Sequence, residues 1–144
     1  MKDARSFTIG DIEVKSGQKG FGHIEVADVL GGFTLSLPVH VVHGSRPGPT
    51  LGLTAAIHGT EYPPILALRE VVLGLNPQEL RGTLIVLPVA NPVSLAARHR
   101  KNTPEWDVDH ANMGGVFPGK RLHAAFGGGP VSYTHLTLPT TPYV

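Results

Sequence analysis

The sequence contains no cysteine, so it has neither disulfides nor thiolate metal ligands, and any metal must be held by histidine and carboxylate groups. It also lacks a charge excess. A net charge of +1 over 144 residues leaves no electrostatic footprint for nucleic acid or an anionic membrane surface. No apolar run is long enough to span a bilayer. Met1-Lys2-Asp3-Ala4-Arg5 lacks the apolar stretch of a secretory signal. The chain therefore reads as soluble and cytoplasmic, with no nucleic-acid or membrane partner. Its one basic run, Arg98-His99-Arg100-Lys101, reads as a solvated helix end. The apolar share, 41%, is ordinary for a folded domain and argues against disorder.

The first third reads as antiparallel strands with one wet face: Phe7 to Val14, Gly20 to Ala27, and a longer strand from Phe33 to His43. In the last of these Leu35, Leu37, Val39 and Val41 share one face, and Gly31-Gly32 makes the turn before it. Gly44 to Pro49 reads as a turn-rich connection. Thr50 to Ile57 is then an apolar run of strand length without alternation, the pattern of a strand buried on both faces. Ile65, Leu68, Val72 and Leu75 follow at helical spacing, stopped by Asn76-Pro77. Thr83 to Val89 is a second buried strand. Strand, helix and strand within this span predict a βαβ unit with parallel strands. A short helix is expected over Pro92 to Arg100, then loop to Gly119, and a further helix start over Lys120 to Phe126.

In an open α/β sheet, ligands gather beyond the carboxyl ends of the parallel strands. Two features fall there: His58-Gly59-Thr60-Glu61 after the first buried strand and Asn91-Pro92 after the second. An imidazole nitrogen and a carboxylate oxygen are ordinary zinc ligands, and a strand end running into a helix start can bring His58 and Glu61 to one point. Gly59 would let the backbone turn between them. A structural reading competes. Thr60 would cap the helix, Glu61 would complement its dipole, Pro63 and Pro64 would fill its first turn, and His58 would bond to backbone.

The stretch from Gly48 to Glu61, a strand running into His-Gly-x-Glu, resembles the signature of the succinylglutamate desuccinylase/aspartoacylase family of zinc carboxypeptidase-like deacylases. Pro88-Val89-Ala90-Asn91-Pro92 resembles that family's second strand and its Asn-Pro exit. Asn112-Met113-Gly114-Gly115-Val116-Phe117-Pro118-Gly119 resembles a family block that usually reads N-M-N-R-V-F-P-G. The likeness covers about residues 8 to 119. It implies the N-terminal part of a zinc carboxypeptidase-like α/β fold, with antiparallel strands leading into the βαβ unit and the fold truncated. Residues 1–45 would form a β-rich segment and 46–130 the truncated hydrolase domain. It further implies Zn2+ held by His58, Glu61 and a later His, with Arg100 and Asn112 as substrate contacts. A water activated by the metal would hydrolyse the amide or ester of a small acylated substrate.

Two departures bear on function. The family's Asn-Arg pair, which grips a substrate carboxylate, is Gly114-Gly115 here, and glycine cannot replace a bidentate guanidinium. Asp107 or Asp109 could fill the acidic place before that block, with loop capping as their alternative. The second departure is an expected absence: the family's third zinc ligand, a His on a later strand, and its general base, a Glu further on, are not expected within these 144 residues if the tail is adaptor. The remaining histidines, His23, His40, His43, His99, His110 and His123, read as surface or loop residues. A non-catalytic binding module of the same fold is the alternative reading, favoured by Gly114-Gly115 and disfavoured by the retention of His58 and Glu61.

Val131 to Thr140, Val-Ser-Tyr-Thr-His-Leu-Thr-Leu-Pro-Thr, resembles a translated transposase sequencing adaptor. Residues 131–144 are therefore expected to be a non-native tail, and His135 is not counted as a ligand. Deleting that tail is expected to change stability by less than about 1 kcal/mol, the scale of ordinary surface changes. Chemical denaturation of the chain with and without it measures the difference.

Overall fold

A computed structural model of the chain describes residues 6–29 and 31–100. The first element is a hairpin: β1 (Ser6–Ile9) pairs antiparallel with β2 (Ile12–Lys15), Ile9 facing Ile12. This corrects the single strand expected over 7 to 14. Gly10-Asp11 forms a two-residue turn, and Gly10 takes a φ of +54°, which only glycine adopts without strain.

Four strands form the main sheet: β3 (Gln18–Val29), β4 (Phe33–His43), β5 (Arg46–Thr54) and β6 (Arg81–Leu87), in the order β3-β4-β6-β5. β3, β4 and β6 are antiparallel neighbours, whereas β5 runs parallel to β6. The connection between the parallel pair carries α1 (Pro63–Gly74), and α2 (Pro92–Ala97) follows β6. The βαβ unit is thus present.

Alternation along β4 and β6 separates two cores. On one face Leu37, Val39, Val41, Ile85 and Leu87 pack against Ile12 and Val14 of the hairpin. On the other Val42, Leu84 and Val86 meet Val72 of α1, with Leu68 and Leu75 beside it. The helical spacing read from Leu68, Val72 and Leu75 is the stripe that docks α1 on the sheet. β6, covered on both faces, is buried from Gly82 to Leu87.

β5 departs from expectation twice. It begins at Arg46, so Pro47 to Pro49 are strand rather than connection, with an irregular register between Arg46 and Thr50. It is also mostly exposed, with Leu51 at 57%, rather than buried on both faces. Both follow from its place at the sheet edge. An edge strand tolerates prolines, which have no N–H to donate, and among the described residues only β6 pairs with it.

The start of α1 differs as well. The N-cap is Tyr62, without a side-chain cap hydrogen bond, and not Thr60. Pro63 and Pro64 occupy the first turn, and their missing N–H groups remove two of the donors that a cap would satisfy. At the other end Lys19 of β3 donates to the carbonyl oxygens of Val72 (2.6 Å) and Leu73 (3.0 Å), placing a cation on the negative end of the helix.

His40 and His43 lie in β4 rather than on loops. His43 Nδ1 is 2.8 Å from Thr83 Oγ1, and the His40 ring lies 4.7 Å from that of Phe21. Burial holds His40 below the usual imidazole range. Among the described residues no helix is long and apolar enough to cross a membrane. The helix expected over Lys120 to Phe126, Asp107 and Asp109, the block from Asn112 to Gly119, His110, His123 and the segment 131–144 lie outside the described residues.

Candidate metal site at the end of the parallel strands

β5 ends at Thr54, and the chain then leaves the sheet along a path clipped to the segment after β6. Ala55 N–H donates to Leu87 O (3.0 Å), Ala90 N–H to Ala55 O (2.8 Å), and Asn91 N–H to Ala56 O (3.1 Å). Between these bonds Ala56 takes a φ of +52°, a left-handed conformation that costs a non-glycine residue about 1 kcal/mol or more. The three flanking bonds hold it there. Ile57 and His58 follow this turn, beyond the carboxyl end of β5.

His58 and Glu61 meet at this point. His58 Nδ1 donates to Glu61 Oε1 at 2.7 Å, with the imidazole side chain 18% exposed and the carboxylate 45% exposed. The hydrogen bond from His58 holds the Glu61 carboxyl below the usual carboxylate range. Desolvation opposes this, and the charges of His58 and Arg100 add to the lowering. Arg100, exposed at the end of the described segment, is thus within electrostatic reach of Glu61. Asn112 lies outside the described residues.

Gly59 packs against the α2 segment. A Cβ there would overlap the carbonyl group of Ser94 and crowd the carbonyl oxygen of His99. Its φ is not positive, so close approach, rather than the sharp turn expected from sequence, demands glycine. The Gly59 N–H points at two acceptors, His99 O (2.9 Å) and Ser94 Oγ (3.2 Å). Asn91 was marked from the sequence as part of the Asn-Pro strand exit, whereas Ser94 was not singled out. Ser94 is 1% exposed, and its hydroxyl donates to His99 O at 2.6 Å. Asn91 caps α2 by accepting from Ser94 N–H (3.0 Å), and its amide donates to Ile57 O (3.3 Å). The Asn-Pro-x-Ser spacing of a capped helix start was the available signal.

The donor set suits a divalent metal. Two ligand atoms each about 2.1 Å from a tetrahedral zinc lie about 3.4 Å apart, so the His58–Glu61 pair needs to open by under an ångström. The described residues supply two such donors, and no group of three or more His, Cys, Asp or Glu gathers among them.

Residues 47–135 match the sequence profile of the succinylglutamate desuccinylase/aspartoacylase catalytic domain. An N-alpha-acetyl-L-2,4-diaminobutyric acid deacetylase from Halomonas elongata is 32% identical over 110 residues, which are 76% of this chain and 31% of that protein. Among solved structures, an aspartoacylase family protein from Mesorhizobium loti superposes with a TM-score of 0.60 at 28% identity, covering 82% of this chain and 35% of its own. A succinylglutamate desuccinylase/aspartoacylase from Rhodobacter sphaeroides gives 0.59 at 26% identity, covering 74% and 33%. The chain spans about a third of the length of each of these relatives.

Proposed function

Because the chain belongs to the succinylglutamate desuccinylase/aspartoacylase family, we propose that it is the N-terminal part of a cytoplasmic zinc-dependent deacylase that hydrolyses the amide or ester bond of a small acylated substrate. The observation that carries this reading is the pairing of His58 Nδ1 with Glu61 Oε1 at 2.7 Å beyond the carboxyl end of β5. His58 and Glu61 would supply two of the metal's ligands, and a histidine of the longer protein, outside these 144 residues, the third. Bound there, zinc would polarise the scissile carbonyl and lower the pKa of a water. To offer Nδ1 to a metal, His58 would carry its ring proton on Nε2 instead. Glu61 enters the site already ionised, because the His58 hydrogen bond favours its charged form. Arg100 lies near enough to attract an anionic substrate group, and Asn112 is a second substrate contact. Gly114-Gly115, in place of a guanidinium-bearing pair, points to a substrate that is neutral, larger or anchored differently. The segment 131–144 takes no part in the site.

The 144-residue chain alone is expected to show no turnover of N-acyl amino acids or simple esters, because two ligands leave the metal under-coordinated and no general base is in place. The test compares it with the gene product at the length of its relatives, with and without a chelator. Chelator-sensitive hydrolysis by the long form only is the expected result. Turnover by the short chain, or none by the long form with zinc bound, would contradict the proposal. The latter outcome would favour a binding module.

A further inference from the structure

We infer that Ser94 is a positioning residue for the metal ligands: its buried hydroxyl bolts the His58–Glu61 loop to the segment after β6. The inference rests on the metal reading above but concerns a residue that would touch neither metal nor substrate. Three observations carry it. Ser94 is 1% exposed although it lies in a short surface helix, so its hydroxyl must be satisfied internally. That hydroxyl does two things at once, donating to His99 O (2.6 Å) and accepting from Gly59 N–H (3.2 Å). Gly59 is the residue between the two candidate ligands that leaves no room for a side chain. Ser94 backbone groups extend the same bolt, with N–H to Asn91 Oδ1 (3.0 Å) and its carbonyl oxygen accepting from His99 N–H (3.1 Å).

The consequence is preorganisation. A His-x-x-Glu pair on a free loop would have to be ordered when the metal arrives, and that cost would weaken affinity. Here the intervening backbone is already fixed at Gly59. Outer hydrogen bonds that orient metal ligands typically contribute about 10–100-fold in affinity.

The test measures zinc affinity of the 144-residue chain by competition with a chromophoric chelator, alongside amide hydrogen exchange by NMR. Wild type, His58→Ala, Ser94→Ala and Ser94→Cys are compared, the last keeping the side-chain volume with a weak donor. The expected result is zinc binding lost in His58→Ala and weakened about tenfold in Ser94→Ala, with Ser94→Cys between wild type and alanine. Gly59 N–H should exchange faster in Ser94→Ala while the Ile85 N–H in the core strand stays protected, a local loosening that a general loss of stability would not produce. Unchanged zinc affinity with unchanged Gly59 protection would overturn the inference. Equal zinc binding by wild type and His58→Ala would overturn the metal reading instead. The Gly59 amide then decides the bolt by itself: faster exchange in Ser94→Ala sustains it and unchanged exchange refutes it. If Ser94→Ala leaves Ile85 unprotected, the same comparison is read from Ser94→Cys.

Discussion

Gly59→Ala is expected to destabilise the chain by about 3 kcal/mol, at the upper end of ordinary overpacking costs. The added methyl group would overlap the Ser94 carbonyl group and crowd that of His99. Both are backbone atoms, fixed by the α2 cap and the His99 hydrogen bond, so no flexible side chain can move aside. The loop must lift off, and Gly59 N–H then loses both acceptors. Urea denaturation monitored by circular dichroism measures the loss. A change below about 0.5 kcal/mol, the range of surface substitutions, would mean that the loop and α2 are not in contact.

Leu87→Ala is expected to cost about 3 kcal/mol, within the range seen when a buried leucine leaves a cavity. Leu87 is 1% exposed and packs with Leu37, Val39, Val41 and Ile85 beneath the β1–β2 hairpin. Its backbone oxygen also accepts from Ala55 N–H, so it stands where the core meets the loop that leads to His58. The same denaturation experiment measures the effect, with Leu51→Ala on the exposed edge strand as its comparison. Equal losses at the two positions would contradict the placement of β6 at the centre of the sheet and β5 at its edge.

The parts of the fold that were legible are those in which local pattern and packing agree. Alternation over Phe33 to His43 and helical spacing from Ile65 to Leu75 each match an element, because the faces they define are the ones buried in the two cores. The hairpin was misread because Gly10-Asp11 interrupts the strand pattern by only two residues. A turn of that length leaves apolar residues on both sides and little else to see. β5 was misread for a different reason. Its sequence is that of a strand flanked by other elements, but among the described residues it has a neighbour on one side only, and burial depends on neighbours rather than on composition.

At the site, His58 and Glu61 were visible because residue type and position at a strand end both mark them. Asn91 was visible at its strand exit, but its bond to Ile57 O was not, and Ser94 was missed altogether, because these hydrogen bonds reach residues about thirty-five positions away in sequence. The left-handed Ala56 was hidden for a related reason. Alanine carries no signal for that conformation, which the clip between the two strand ends imposes.

In the proposed site His58 and Glu61 share one metal. Anomalous diffraction at the zinc edge from crystals of the chain grown with Zn2+ tests it most directly. The predicted result is a peak about 2.0–2.2 Å from both an imidazole nitrogen of His58 and a carboxylate oxygen of Glu61, with the two side chains slightly parted. A map with no peak between them and the 2.7 Å hydrogen bond intact, or with zinc only at other histidines such as His23 or His40, would contradict it.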